Sequence, residues 1–259
     1  EMIMNKNINK VAFITGGGSG IGKAVAQRFA EEGYDVALSY AGSHSGALEV
    51  KKYIEGIGRK CEIYKADLGI YSEIIKLFDK FEKDFGRIDV LVNNAGITDK
   101  SEFLETTEEI FDSMCNVDFK GSYFCTRQAA KIMCKNGIEG SIIVISSNNA
   151  AKHFANVSVY GAVKAAEEKF AEHAAIELAK YKIRVNIIAP GWTDTGAKRL
   201  GKKEDSFYKI PLQKWAEPSE IADAAIYLSS DSAKSITGAK LIIDNGASLV
   251  ADKRELYGF

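Results

Sequence analysis

Proline is scarce in this chain: Pro190, Pro211 and Pro218 are the only three in 259 residues, and all fall late. No Pro-rich linker, internal repeat or low-complexity tract divides the sequence, so it reads as one domain. The four cysteines, Cys61, Cys115, Cys125 and Cys134, show no C-x-x-C spacing. That pattern argues against a zinc site or a disulfide framework and favours reduced thiols. His44, His153 and His173 are scattered without ligand spacing, so no metal is expected. No apolar run reaches the ~18 residues of a membrane span, and EMIMNKNINK lacks the apolar stretch of a signal peptide. A cytoplasmic location is the expectation from the lack of any address. Glu1 stands ahead of Met2 and Met4, so the first residue or two are expected to be foreign to the natural chain. An excess of charge of either sign is missing too: the net charge of -1 gives no bulk attraction to nucleic acid or an anionic membrane.

What is present is ordinary globular material. An apolar fraction of 46% with 27% charged residues suits a soluble fold, in a chain long enough to bury roughly 75% of its unfolded surface. Short runs rich in Val and Ile recur: VAFIT (11–15), DVALSY (35–40), CEIYKA (61–66), VLVNNA (90–95), SIIVISS (141–147), RVNIIAP (184–190) and AKLIID (239–244). Most are apolar on both faces, as a parallel sheet covered by helices requires. Amphipathic segments lie between them. GKAVAQRFAEEG (22–33) puts Ala24, Val25, Phe29 and Ala30 on one stripe, and SEIIKLFDKFEKDFG (72–86) does so with Ile75, Leu77, Phe78, Phe81 and Phe85. Gly33, Gly86 and Gly137 stand where such helices end. The expected fold is α/β: a single-domain doubly wound Rossmann fold over 10–259, with a seven-stranded parallel sheet and helices on both faces. Residues 1–9 read as a tail. The polar stretch 191–215 reads as a loop with a helix, and about 192–212 as a substrate lid.

The first strand runs into glycines and then a helix: VAFITGGGSGIGKAVAQRFA. Gly16, Gly20 and Gly22 lie at the tight turn, the close backbone approach and the helix start. Missing side chains there let a phosphate reach the helix N-terminus, where free N–H groups and the macrodipole favour an anion. The spacing is a variant of the dinucleotide fingerprint, in the βαβ context that the fingerprint needs. An acid closing the second strand would bind the ribose of NAD and repel a 2′-phosphate. Here Tyr40 closes the strand and the first carboxylate is Glu49, while Ser39, Ser43 and His44 offer hydrogen bonds. NADP(H) is favoured over NAD(H) on that ground, although no Arg or Lys stands at the spot.

In SVYGAVKAA, Tyr160 precedes Lys164 by four residues, which places both on one helix face. A phenol beside an ammonium gives up its proton more readily than a free one, a useful property in acid–base catalysis. The pair alone is weak, since the chain has 11 tyrosines and many lysines. Together with TGGGSGIG (15–22), NNAG (93–96), Ser147 thirteen residues before Tyr160, NVDFKG (116–121) and Pro190-Gly191, it resembles the short-chain dehydrogenase/reductase family over nearly the whole chain.

That resemblance implies a catalytic set of Asn116, Ser147, Tyr160 and Lys164. Tyr160 exchanges a proton with the substrate oxygen, Ser147 hydrogen-bonds that oxygen, Lys164 eases ionisation of Tyr160 and holds the nicotinamide ribose, and Asn116 fixes a relay water. It further implies cofactor contacts at Gly16, Ser19, Gly20, Ile21 and Gly22, at Tyr40, at Asp67 and Leu68, at Asn94, Ala95 and Gly96, and at Pro190, Gly191, Thr193 and Thr195. Asp244-Asn245-Gly246 stands where many members carry Asp-Gly-Gly, which puts that turn in question. The implied activity is NAD(P)(H)-dependent interconversion of a secondary alcohol and a ketone, in a homotetramer. Its packing helices would be 101–135 and the one holding Tyr160, with LYGF at the C-terminus as a further contact. MCKNGIEGSIIVISS and IPLQKWAEPSEI resemble glucose 1-dehydrogenases and SYAGS resembles 3-oxoacyl-thioester reductases, so a sugar, a 3-oxoacyl thioester or a hydroxysteroid is the expected substrate. Lys198, Arg199, Lys202 and Lys203 read as a solvated run before an anion site. A non-catalytic dinucleotide-sensing regulator or a SAM-dependent methyltransferase would keep the glycine turn, but neither needs Ser147, Tyr160 and Lys164 together.

Overall fold

The computed structural model describes residues 9–196 and 204–249. Seven parallel strands form one sheet in the order β3-β2-β1-β4-β5-β6-β7. They are β1 (Val11–Ile14), β2 (Asp35–Tyr40), β3 (Cys61–Lys65), β4 (Val90–Asn93), β5 (Ser141–Ile145), β6 (Arg184–Pro190) and β7 (Lys240–Ile243). The helices are α1 (Gly20–Glu31), α2 (His44–Gly56), α3 (Tyr71–Phe85), α4 (Glu108–Met114), α5 (Gly121–Lys135), α6 (Ser158–Leu178), the short α7 (Glu204–Phe207) and α8 (Pro218–Ser229).

The two faces of the sheet explain why the strand sequences are apolar throughout. Alternate residues point to opposite sides. Phe13, Ile142, Val144 and Ile187 join one core with residues of α3, α5 and α6, while Ile14, Ile143, Ile145 and Ile188 join the other with α1, α2 and α8. Each such buried side chain is worth about 1.5–3 kcal/mol of hydrophobic stabilisation. On α3 the buried stripe is Ile74, Leu77, Phe78 and Phe81, so Ile74 replaces the expected Ile75, and Phe85 stacks on Phe81 at 5.3 Å. Gly86 then takes the left-handed conformation at φ +72° and stops the helix.

Five strands end one or two residues earlier than their apolar runs, and three of these ends share a feature. Past the last ladder residue, the backbone N–H groups turn to side chains at the C-terminal edge of the sheet. The N–H groups of Asn94 and Ala95 donate to Thr15 Oγ1 at 2.9 and 3.0 Å. After β5, Ser147 caps a 3₁₀ turn (Asn148–Ala150), its Oγ accepting from Asn149 N–H at 3.2 Å. After β7, Asp244 accepts from Gly246 N–H and Ser248 N–H at 3.0 and 2.6 Å. This last turn forms with Asn245 at φ +56° and Gly246 at φ +84°. Asn tolerates the left-handed region, so the departure from Asp-Gly-Gly leaves the turn intact.

The stretch 101–135, expected to supply helix packing between copies, is broken into several pieces. A 3₁₀ turn (Phe103–Glu105) precedes α4, and the six residues Cys115–Lys120 wind as a π turn between α4 and α5. Residues 192–196 and 204–216 bear their own small cluster, with Ile210, Trp215 and Ala247 buried against Trp192 and Phe207. The basic run at 198–203 lies outside the described residues, as do LYGF and the first eight residues. Among the described residues, no helix is long and apolar enough to cross a membrane.

Candidate active site

The strand order reverses between β1 and β4, and an open α/β sheet binds ligands at the carboxyl ends of its strands beside that switch. A cavity of about 670 Å³ opens there. It brings together Ile21 from α1, Asn94 and Gly96 after β4, Ser147 after β5, Tyr160 and Lys164 from α6, Pro190 at the end of β6, and Gly191, Thr193 and Thr195 after it. A second cleft of about 420 Å³, lined by Lys10, Asp89 and Arg184 among others, lies at the opposite strand ends and contains none of these residues.

The glycine turn is shaped by its neighbours. Gly16 has φ +65°, and a Cβ there would stand 2.9 Å from Ala95 Cα. At Gly22 a Cβ would stand 2.3 Å from the Gly16 carbonyl oxygen. The turn is then tied to β4: Asn94 Nδ2 donates to the Thr15 and Gly16 carbonyls at 3.0 and 3.2 Å. Asn94 is thus a strut for the turn, and Thr15 is its counterpart. Thr15 is 1% exposed and was not singled out as a site residue from sequence. The available signal was a hydroxyl residue at the last position before the glycines. Ser19 precedes α1 with no side-chain cap on the first turn, so the helix N-terminus presents its N–H groups to an incoming anion. The three-glycine cradle and this uncapped start fit the pyrophosphate of a dinucleotide.

At the end of β2, where the adenine is expected, the residues separate. Tyr40 closes β2, and its hydroxyl meets His44 Nδ1 at 2.7 Å. Ser39 is buried, its Oγ accepting from Gly16 N–H at 3.4 Å, so it is not an exposed phosphate ligand. Ser43 and His44 remain exposed. Glu49, the first acid after the strand, is held by Lys23 at 2.6 Å. Asp67 turns Oδ1 to Gly69 N–H at 2.8 Å, and Leu68 packs in the core on the α3 side.

The chemistry-bearing groups converge at the other end. Lys164 is 4% exposed, with Nζ 5.7 Å from the centre of the Tyr160 ring and 3.4 Å from the Ile145 carbonyl oxygen. Ser147 and Tyr160 line the same cavity wall region with Asn148 and Asn149. Phe154 and Trp192 meet edge to face at 5.4 Å on the cavity wall, and Lys100 and Lys209 also line the cavity.

Asn116 occupies a different place from the one expected. Inside the π turn its Oδ1 accepts from Lys120 Nζ at 2.6 Å. The contact to Lys164 is made by Asp118, fully buried, whose Oδ2 lies 3.3 Å from Nζ while its Oδ1 accepts from Ile97 N–H at 2.9 Å. The wide turn pairs residues 116 and 120 on one side and sends 118 toward α6, so the residue beside Lys164 is not the one that a spacing count selects. Gly96 leaves room for this contact: a Cβ there would stand 2.9 Å from Asp118 Oδ2 and 3.3 Å from Lys164 Nζ. A second acid that sequence reasoning missed, Glu167, reaches Lys164 Nζ at 2.7 Å. Burial alone would push the Lys164 ammonium down, but Glu167 and Asp118 together hold it above the usual lysine range. Burial raises the Asp118 carboxyl against the opposing pull of Lys164.

Comparison with known proteins agrees with this geometry. The family described as enoyl-(acyl carrier protein) reductase matches residues 16–248. The uncharacterized oxidoreductase YohF of Escherichia coli (strain K12) is 35% identical over 93% of this chain and 96% of its own length. A 3-oxoacyl-[acyl-carrier-protein] reductase, FabG of Staphylococcus epidermidis, is 34% identical over 92% of this chain and 99% of its own. The crystal structure of acetoin dehydrogenase from Enterobacter cloacae superposes with a TM-score of 0.88 at 33% identity, covering 94% of this chain and 97% of that one.

Proposed function

The chain belongs to the short-chain dehydrogenase/reductase family, and from that premise we propose that it reduces a small polar ketone to the secondary alcohol, or runs the reverse, with NADP(H) as the preferred coenzyme. Members of this family are oxidoreductases that use NAD(P)(H). The observation that carries the reading is the meeting of Ser147, Tyr160 and Lys164 in one cavity with Ile21, the residue between Gly20 and Gly22 of the glycine turn. The bound nicotinamide supplies or accepts the hydride. Tyr160 gives its phenolic proton to the carbonyl oxygen as charge develops there, and takes it back in oxidation. Ser147 donates a hydrogen bond to the same oxygen and stabilises the alkoxide character of the transition state. Lys164 holds the ribose end of the coenzyme and keeps positive charge beside Tyr160. Asp118 takes the supporting place beside Lys164 that the resemblance gave to Asn116. Gly16, Ser19, Gly20, Ile21 and Gly22 hold the pyrophosphate, Tyr40, Asp67 and Leu68 the adenine end, Asn94, Ala95 and Gly96 the ribose, and Pro190, Gly191, Thr193 and Thr195 the nicotinamide.

The NADP(H) preference rests on the end of β2, where Tyr40 and the exposed Ser43 and His44 stand and Glu49 is occupied by Lys23. For the substrate, a compact cavity walled by Asn149, Thr98 and the Phe154–Trp192 pair suits a hydroxyketone or diketone of the acetoin type. A 3-oxoacyl thioester is the second reading, favoured by Lys100 and Lys209, which suit a phosphate-bearing carrier arm. Of the lid expected at about 192–212, residues 197–203 lie outside the described residues, and Trp192, Thr193, Thr195, Ser206 and Lys209 from its described parts line the cavity. A cytoplasmic homotetramer completes it: Phe111 on α4, Tyr123 on α5 and Ile176 on α6 are exposed large hydrophobics on the helices expected to pack between copies. The test is loss of nicotinamide absorbance with acetoin, diacetyl, acetoacetyl thioesters and sugars, each with NADPH and NADH. Turnover of a small diketone with NADPH is expected. No turnover of any ketone with either nucleotide would refute the proposal.

A further inference from the structure

The cluster behind Tyr160 holds one cation and two acids. Lys164 Nζ lies 2.7 Å from Glu167 Oε2 and 3.3 Å from Asp118 Oδ2, and all three residues are buried. Glu167 sits one helical turn beyond Lys164 on α6. It is faced by Lys164 from its own helix, by Asp118 from the π turn and by the Ser122 hydroxyl from α5. The adjacent acid Glu168 serves other partners, accepting from Ser146 Oγ at 3.1 Å and pairing with Lys240 Nζ at 2.8 Å.

One ammonium cannot neutralise two carboxylates where water barely reaches, so near neutrality the cluster takes up a proton. Burial pushes the Glu167 carboxyl up to about 7, with Lys164 and Ser122 pulling the other way. An apolar side chain of similar length would fill this place without the desolvation cost, so the acid is a costly choice for packing alone.

We propose that Glu167 is a positioning residue for hydride transfer, a proton-carrying tether that decides whether the Lys164 ammonium serves two buried anions or one. The proposal rests on the oxidoreductase reading above. With its proton on, Glu167 leaves Asp118 alone to balance Lys164, and the remaining N–H donors of Lys164 are available to Tyr160 and the coenzyme ribose. When the proton leaves to solvent, the ammonium is drawn to Glu167 and the cluster carries an uncompensated negative charge. Ketone reduction is therefore strongest on the acid side of the Glu167 titration.

Two measurements on the full chain test this. Carbon-13 NMR of the glutamate carboxyls in the coenzyme-free protein, with Glu167→Gln to identify the resonance, is expected to show Glu167 titrating near pH 7. A Glu167 carboxyl already ionised at about pH 5, where ordinary glutamates are charged, overturns the proposal. In the second, kcat/KM for ketone reduction is followed from about pH 6 to 9, across the region where the carboxyl changes charge. The wild type is expected to decline as Glu167 ionises, and Glu167→Gln to lose that limb. A variant that is slower at every pH with an unmoved limb marks a merely structural residue and overturns the idea. Ser122→Ala is the second variant. It keeps Glu167 but removes a hydroxyl that favours the carboxylate, so it is expected to move both the NMR titration and the kinetic limb to higher pH; two unmoved midpoints count against the proposal. If the titration appears but the wild type reduces no ketone, the oxidoreductase reading has failed and the buried proton stands.

Discussion

Lys164→Met keeps a stem of similar length and deletes one charge from beneath Tyr160. Asp118 and Glu167, 0% and 1% exposed, are then left side by side with no cation between them. Removing one partner of a buried ion pair costs about 3–5 kcal/mol. Lys164 serves two acids, so the upper end, about 5 kcal/mol, is expected near neutral pH. In a chain of this size 1 kcal/mol moves the melting temperature by about 2–4 °C, which makes the expected drop about 10–20 °C. Its pH dependence has a definite sign. Burial already raises both carboxyls, and loss of Lys164 removes the group that restrained them. Acids whose folded pKa exceeds the unfolded value favour the fold fully only below the unfolded value of about 4, and that contribution is lost as pH rises through the folded pKa. The deficit is therefore small near pH 4.5 and largest near pH 8. Thermal unfolding followed by circular dichroism at those two pH values measures it. Adding Asp118→Asn and Glu167→Gln to Lys164→Met is expected to recover most of the loss at pH 8. A Lys164→Met protein melting within about 2 °C of the wild type at pH 8 would refute the claim that this lysine is the counter-charge of a dry acidic pair.

Tyr160→Phe is expected to lower kcat for ketone reduction by at least about 10²–10⁴-fold, the usual worth of a positioned acid, while coenzyme affinity by fluorescence titration stays close to that of the wild type. Substantial residual turnover would remove the proton-donor role. Thr15→Val leaves the Asn94 and Ala95 N–H groups without their acceptor, for an expected loss of about 2 kcal/mol in denaturant unfolding together with weaker coenzyme binding. Gly22→Ala forces a Cβ to within 2.3 Å of the Gly16 carbonyl oxygen, so the turn must shift. Coenzyme affinity measured by calorimetry is expected to fall at least about tenfold, equivalent to about 1.4 kcal/mol.

The sheet was legible because its strands are apolar on both faces and its helices are not. DVALSY and RVNIIAP became β2 and β6 at the expected residues. VLVNNA overran because nothing in its composition says that Asn94 and Ala95 leave the ladder for a threonine hydroxyl 79 and 80 residues away. The glycine turn and the Tyr160–Lys164 pair were legible as local spacings. Asn116 was misleading for a related reason: its spacing to Gly121 is a property of the string, whereas the direction of a side chain depends on how the intervening backbone is wound. Glu167 carried no signal of its own. An acid on a helix is ordinarily a solvated one, and only the packing of α6 against α5 and the π turn makes it buried.

That winding also limits what this part of the chain tolerates. Cys115–Lys120 takes about one residue more per turn than its α-helical flanks, so dropping any single residue there would let α4 and α5 fuse into one continuous rod. The missing step of about 100° would be made up by the tighter winding, so the flanking helices would keep their faces while the residues inside the turn would be re-aimed. Met114 on α4 would stay in the interior and Asp118 would lose sight of its lysine, whereas the exposed residues Glu102–Glu105 just before α4 face no such constraint.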